Sequence, residues 1–407
     1  MVKYRKMGSL PWEVSALGFG CMRLPTRGLF RSINQREAIS ILRLGIDRGV
    51  NYVDTAWFYH FGNSERVVGL ALKDGYREKV HLVTKLPMVI VKSADDVEKF
   101  LDRQLEKLQT DHLDGYLFHM LNQGQFEKLK RLGLMEKMEK ARTQGKILHI
   151  GFSFHDTLPV FKEIVDYYSW DITLIQYNYM DTAIQATTDG LRYAYEKGIA
   201  VVVMEPLKGG RLANPPAEAM AAIKRAPVSR TPADWALQFL WNRPEISCVL
   251  SGMSARGMVE ENCASADASG IGTLAPGETG VIEELAGIYR KKILVPCTSC
   301  QYCLPCPAGV NIPQNFALLN NKSFGPPTGR LSGRFMQYFI SRNYRRLAKN
   351  KAQLASNRDN GSASLCTRCN ACVPKCPQQI LIPDELAKVK AVFENRQPIG
   401  KVFGQAG

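Results

Sequence analysis

In the run Asn51-Tyr-Val-Asp-Thr-Ala-Trp-Phe-Tyr59 an apolar stretch ends on an acid and gives way to an aromatic loop. Residues 50–55 have the length of a buried strand, and residues 65–72 have the spacing of an amphipathic helix. Together they make one β/α unit, and the pattern repeats outward in both directions. Further strand candidates lie at 16–22, 80–85, 113–119, 147–153, 172–179, 199–205 and 246–253. Helical patterns fall between them at 35–47, 95–108, 135–144, 158–167, 189–197, 232–241 and 256–264. Eight strands, each followed by a helix, predict an α/β fold of the (β/α)8 TIM-barrel type. Periodicity alone leaves a doubly wound open sheet as the alternative. No G-x-G-x-x-G follows the first strand, which counts against that sheet.

The barrel accounts for residues 1–292, with 270–292 expected as a closing helix and 291–296 as a linker. A chain of 407 residues has room for a second domain, here 293–407. Two cysteine runs define it: Cys297-Thr-Ser-Cys300-Gln-Tyr-Cys303-Leu-Pro-Cys306-Pro307 and Cys366-Thr-Arg-Cys369-Asn-Ala-Cys372-Val-Pro-Lys-Cys376-Pro377. The second has the C-x2-C-x2-C-x3-C-P spacing that wraps a cubane iron–sulfur cluster, and the first is one residue shorter. Three close thiolates reach corners of one cubane, and the cysteine before proline ligates the other. The expected sets are therefore Cys297, Cys300, Cys303 and Cys376 on one cluster, and Cys306, Cys366, Cys369 and Cys372 on the second. This predicts a small α-rich ferredoxin-like 2[4Fe-4S] domain. Paired C-x2-C knuckles could instead hold zinc, but zinc sites seldom repeat four cysteines at triplet spacing twice. Val310-Asn-Ile-Pro313 and Ile380-Leu-Ile-Pro383 follow the two C-P corners in parallel, as an internal repeat would.

Eight of the eleven cysteines sit in these runs; Cys21, Cys248 and Cys263 read as small buried apolar residues. The chain has no apolar run near the roughly 20 residues of a membrane span, and its first residues lack a signal-peptide core. A reducing, anaerobic cytoplasm is the expected location. The formal charge of +15 is concentrated: nine Lys or Arg and no acid lie between Lys322 and Arg358.

In a barrel of this kind, chemistry gathers at the C-terminal ends of the strands. Asp54 ends the second strand with Tyr59 in its loop, Lys85 ends the third and His119 the fourth. Any one alone reads as a packing or surface residue. Four proton-handling side chains on adjacent strand ends point to a site.

Here a family resemblance carries further. Asn51–Tyr59 followed by Gly62-Asn-Ser-Glu-Arg, Val83-Thr-Lys85 and Leu117-Phe-His119 resemble the signature of aldo-keto reductases. Gln176-Tyr-Asn-Tyr and Glu205-Pro-Leu-Lys-Gly-Gly210 are similar to that family's cofactor-binding segments. With the cysteine module the chain resembles the family's iron–sulfur branch, over residues 1 to about 383. The resemblance implies reduction of a small-molecule carbonyl with NADP, or NAD. Hydride arriving at a carbonyl carbon leaves charge on oxygen that must be quenched as it forms. Tyr59 would give up its proton as general acid, Lys85 would favour the phenolate, Asp54 would hold Lys85, and His119 would orient the carbonyl.

By the same resemblance Ser153 and Gln176 would hold the nicotinamide carboxamide. Leu207, Gly209 and Gly210 would admit the pyrophosphate, the glycines clearing the steric path. Gly20, Cys21 and Met22 at the first strand end, and Met204 at the seventh, join the cofactor set. Ser251, Gly252, Met253 and Ser254, with Glu261 and Asn262, would take the adenosine end at a helix start. Arg256 would clamp a 2′-phosphate, favouring NADP over NAD. Two departures stand out: Met204 replaces the tyrosine that stacks on nicotinamide, and Phe154-His155 follows Ser153 instead of asparagine. No motif supports a flavin.

An insert at about 314–362 separates the cysteine runs, with a helix expected around 335–351. Phe335, Phe339 and Leu347 would form its apolar face, and Arg334, Arg342, Arg345 and Arg346 a basic one. A solvated face is the plain reading. The sharper one is a dock for an acidic electron carrier, ferredoxin or flavodoxin. Contact with an anionic membrane ranks below it. Nucleic-acid stacking on Tyr338 and Tyr344 ranks last, since no binding fold accompanies it. The leading expectation is a reductase whose clusters relay single electrons to or from that carrier. The alternatives are an ordinary NADPH-dependent reductase with structural or redox-sensing clusters, and an electron-transfer subunit of a larger complex.

Overall fold

The computed structural model describes residues 2–27, 32–324, 340–345, 347 and 361–404. Eight parallel strands form a closed barrel in which each neighbours the next in sequence and the last pairs with the first. They are β1 (Leu17–Gly20), β2 (Tyr52–Asp54), β3 (His81–Leu86), β4 (Leu113–Leu121), β5 (Ile147–Phe154), β6 (Ile172–Gln176), β7 (Ala200–Met204) and β8 (Cys248–Ser251). Register closes through Val249 opposite Leu17 and Gly20 opposite Asp54. The open-sheet alternative is excluded. Strand side chains alternate between a core inside the barrel, where Tyr52, Leu117, Ile172 and Val202 meet, and a larger one beneath the helices.

The helices expected between the barrel strands are all present, three of them (Gln35–Asp47, Leu158–Tyr167 and Pro232–Trp241) with the expected ends. The strands differ more. Strand β1 stops at Gly20 because Cys21–Arg23 turns as a 3-10 helix, and the Leu24 amide after it donates to His60 Nε2 at 3.1 Å. Strand β4 runs past His119 through a bulge between Phe118 and Leu121, with Met120 at φ 61°. An antiparallel hairpin, Tyr4–Lys6 with Glu13–Ser15, precedes β1. Its Trp12 stacks on His81 at the start of β3, 4.1 Å between ring centroids.

By contacts the chain divides into one unit of residues 1–207 and 233–274 and a second of 208–232 and 275–407. The helix expected to close the barrel, Pro276–Lys292, therefore groups with the second unit. Ion pairs Arg230–Glu278, Arg225–Glu284 and Lys292–Glu218, each 2.8 Å, tie it to residues 208–232. Beyond it, helices Ile312–Phe324 and Ile382–Phe393 each start at the isoleucine that precedes the proline of the repeated corners. Phe316, Leu319, Leu386 and Val389 fill the small core of this unit. Buried Asn320 clamps the linker: its Oδ1 accepts from the Leu294 and Val295 amides and its Nδ2 donates to the Val295 carbonyl.

Most of the basic insert, with Arg334, Phe335, Tyr338, Phe339 and Arg346, lies outside the described residues. Of the rest, Leu347 is buried and Arg342 and Arg345 are exposed. Tyr344 departs from the stacking role considered for it. It is buried, lies parallel to Phe393 at 4.4 Å, and donates its hydroxyl to Glu394. Among the described residues no helix is long and apolar enough to cross a membrane.

Candidate functional site

Strand ends β2, β3 and β4 bring the four expected residues together. Parallel register sets Asp54 opposite Val83 and Lys85 opposite Leu117, so side chains of alternate residues converge on one rim. Lys85, fully buried, donates from Nζ to both Asp54 oxygens at 2.7 Å, to the Thr55 carbonyl at 2.9 Å and to the Tyr59 hydroxyl at 3.3 Å. Burial pushes the Asp54 carboxyl above its ordinary range, and the Lys85 ammonium works against that push. The His119 ring stands edge-on to Tyr59, 6.1 Å between centroids. Burial first, then Lys85 and His155, hold His119 well below the usual imidazole range, so it is neutral.

The loop that delivers Tyr59 is strained. His60 and Phe61 both take positive φ, 51° and 56°, a conformation that L-residues adopt only when their surroundings over-determine it. The bond from Leu24 to His60 supplies part of that constraint. Behind Lys85 lies a buried network that nothing in the sequence pattern revealed. Glu65, wholly enclosed, accepts from Thr84 at 2.9 Å and from Gln104, and pairs with Lys107 at 3.0 Å. Gln104 also donates to the Lys85 carbonyl at 3.1 Å, which fixes the backbone under the ammonium.

The residues expected to hold a dinucleotide are placed as follows. Ser153 Oγ accepts from the Met120 amide at 2.7 Å, a contact that the β4 bulge creates. The Gln176 amide donates to Asp181 at 2.9 Å and accepts from Gln185, with Asn178 donating to the same Asp181 oxygen. Ser251 and Asn262 meet at 2.9 Å across the start of the last barrel helix. Cys21 is fully buried. Met204 is half-buried and packs beside the barrel-interior core. Arg256 is exposed and pairs with Glu260 at 3.0 Å, a carboxylate also within 3.4 Å of Arg48. Gly209 takes φ 68°, and a Cβ there would lie 2.5 Å from the Thr298 carbonyl oxygen. Its neighbour Gly210, at φ 85°, has open space. Sequence reasoning missed Arg23, whose side chain covers Gly252 and reaches Glu205 at 3.5 Å. It also missed Asp181, which ties Gln176 to Asn178 of the same segment; an acid five residues past Gln176 was the available signal.

In the second unit Cys297, Cys300, Cys303 and Cys376 line one cavity with Ile312, Phe316 and Ile380. Cys306, Cys366 and Cys369 stand close enough to Cys372 for their charges to act on it. Burial raises the Cys297 and Cys376 thiols above the ordinary range. Among the described residues no three His, Cys, Asp or Glu side chains converge tightly enough to share one metal ion.

Comparison with known proteins agrees with this geometry. Residues 16–270 match the aldo/keto reductase family, and residues 296–381 match the 4Fe-4S dicluster domain. L-galactose dehydrogenase of Arabidopsis thaliana is 26% identical over 284 residues, 65% of this chain and 88% of that protein. An aldo-keto reductase of Bacillus halodurans in its holo form superposes with a TM-score of 0.59 at 26% identity, over 70% of this chain and 96% of that one. One from Klebsiella pneumoniae, solved with NADP and acetate, gives 0.59 at 25% identity over the same shares. With its closed barrel, its strand-end residues and its cysteine quartets, the chain belongs to the aldo/keto reductase family of oxidoreductases and carries a 4Fe-4S dicluster domain after the barrel.

Proposed function

We propose that the barrel reduces a small-molecule carbonyl with Tyr59 as general acid, and that the cysteine quartets hold two [4Fe-4S] clusters that relay electrons. The observation that carries this reading is the buried chain of contacts from Asp54 through Lys85 to the Tyr59 hydroxyl. A nicotinamide dinucleotide, NADP before NAD, supplies the hydride when bound. The carbonyl oxygen then gains charge, and Tyr59 sits to pass it a proton as the charge forms. Lys85, 3.3 Å from that hydroxyl, stabilises the phenolate left behind, and Asp54 keeps the ammonium charged and aimed. Neutral His119 offers an N–H donor that orients the carbonyl without adding charge. Ser153 and Gln176 for the carboxamide, Gly210 for the pyrophosphate and the 251–262 segment for the adenosine end remain the binding set. Arg256 would have to leave or share Glu260 to meet a 2′-phosphate.

Clusters pass single electrons and hydride carries two, so a pair of clusters matches a two-electron site to a one-electron carrier. An acidic ferredoxin or flavodoxin is the partner class that the basic insert suits, and Arg342 and Arg345 are exposed there. One observation favours a second reading, in which the clusters are structural: Cys297, Cys303 and Cys372 belong to the buried core of their unit. The test is anaerobic. NADPH added to the iron-loaded chain should bleach cluster absorbance, and Tyr59→Phe should lose carbonyl reduction by about 10²–10⁴-fold while still binding dinucleotide. Near-normal turnover of Tyr59→Phe refutes the acid assignment. Full turnover without bleaching, kept after the cysteines are changed to serine, moves the clusters to the structural role.

A further inference from the structure

The turn after Leu207 holds a basic residue that carbonyl chemistry does not use. Lys208, Gly209 and Gly210 take three consecutive positive φ values, 46°, 68° and 85°. The turn is pressed onto the first cysteine run, where any Cβ at Gly209 would lie 2.5 Å from the Thr298 carbonyl oxygen. This contact aims Arg211 at the run, and its Nε donates to the Cys297 carbonyl at 3.4 Å. Tyr289 donates to the Arg211 carbonyl at 3.2 Å and holds the turn from the other side. Among the described residues no carboxylate stands in ion-pair range of Arg211. Burial pulls its guanidinium below the ordinary range, and Cys297 acts against that pull.

A cation taken out of water is costly unless an anion compensates it. The anionic groups within reach are the thiolates of the quartet that lines the adjoining cavity. A cubane on four thiolates carries net negative charge, which grows by one on reduction, so a fixed neighbouring cation favours the reduced form.

We infer that Arg211 is the counter-cation of the cluster held by Cys297, Cys300, Cys303 and Cys376, and that it raises the reduction potential of that cluster selectively. Arg211 is a positioning residue in this role: it touches neither substrate nor iron. The contact of Arg211 is with the run of the first quartet, so its effect falls on that cluster before the other. The inference rests on the iron–sulfur reading of the cysteine runs.

The experiment is a mediated dithionite titration of the full, iron-loaded chain, followed by electron paramagnetic resonance, for wild type, Arg211→Gln and Arg211→Lys. Iron and sulfide assays of the wild type come first. If they find zinc or no sulfide, the cluster reading itself fails, independently of Arg211. With clusters present, Arg211→Gln should weaken the electron affinity of one signal by about tenfold, about 59 mV for a one-electron couple, and leave the other in place. Arg211→Lys should restore most of the shift. Unchanged potentials at full iron content overturn the inference, as does an equal shift of both signals. If Arg211→Gln loses half of the iron while Arg211→Lys keeps it, charge compensation is supported; equal loss in both variants makes Arg211 a packing residue and overturns it.

Discussion

The barrel mouth and the cysteine module solve opposite problems. At the mouth the reactive groups satisfy one another: Asp54 neutralises Lys85, Lys85 reaches Tyr59, and Glu65 anchors the strand behind them. In the module the reactive groups are all of one kind. Eight thiols are gathered on turns, several with residues at positive φ such as Ser299, Gln301, Arg368 and Asn370, around a small core. The mouth is thus organised by the protein alone, and the module is organised for something the protein must acquire. The barrel should fold first and work later, while the module should need its metal in order to fold.

The harshest way to break that contrast is to withhold iron. Metal-free chain should lose the order of the two cysteine runs and of the helices Ile312–Phe324 and Ile382–Phe393 and keep the barrel, because metal binding to such a small core supplies folding free energy outright. Calorimetry would then show the barrel transition near its usual temperature, and limited proteolysis would cut within the cysteine module. A metal-free chain that melts with the same transitions as the loaded one would show that the module stands without its clusters.

The next test strikes the self-sufficiency of the mouth. Lys85→Met removes the cation and strands the Asp54 carboxylate in the barrel, at a cost of about 3–5 kcal/mol. Turnover should vanish as well. Asp54→Asn added to Lys85→Met should recover most of the stability and none of the activity. Denaturant unfolding of the two variants checks this, and a Lys85→Met chain as stable as wild type would mean that the pair contributes nothing to folding.

The same contrast explains what could be read from the chain. Strands, helices and the four rim residues were legible because each depends on local periodicity and on where a strand ends. The cysteine spacing predicted crossed sets, and Cys376 lines one cavity with Cys297, Cys300 and Cys303. What escaped depends on pairs far apart in sequence. Arg23 meets Glu205, Glu65 meets Gln104, and Arg211 meets Cys297, and no local pattern announces such meetings. The helix Pro276–Lys292 looked like a barrel closer because it directly follows the eighth β/α unit; its partners Glu218, Arg225 and Arg230 show where it belongs. The bulge at Met120 was hidden because neither Gly nor Asn marks the positive φ there.

A milder perturbation sharpens the comparison on the side of the module. Asn320→Ala leaves two buried amides and one carbonyl of the linker without their bonds, a loss of about 1–3 kcal/mol in the iron-loaded chain. The loss should register only in the module transition. If the barrel transition moved by the same amount, the two units would be one cooperative body.

The smallest effect expected is a pH dependence confined to the barrel. His155 is held down to about 4 by burial, against a modest opposing bond to Gln185, and His119 is lowered in the same direction. Both are neutral when folded and regain an ordinary pKa near 6.5 when unfolded. The unfolded chain therefore binds more protons between those values, so stability is complete above about pH 6.5 and falls as the pH drops towards 4. Below that the loss from His155 levels off, because both states are then protonated. Replacing His155 with glutamine keeps a partner for Gln185 and removes the titration, so the barrel transition of His155→Gln should decline less between pH 6.5 and 4. The module transition should not respond to that substitution, since its acid sensitivity comes from proton competition for thiolates. Parallel pH profiles for wild type and variant would mean that His155 is already charged in the folded barrel, and the polar cluster beside Gln176 would then have to hold a cation.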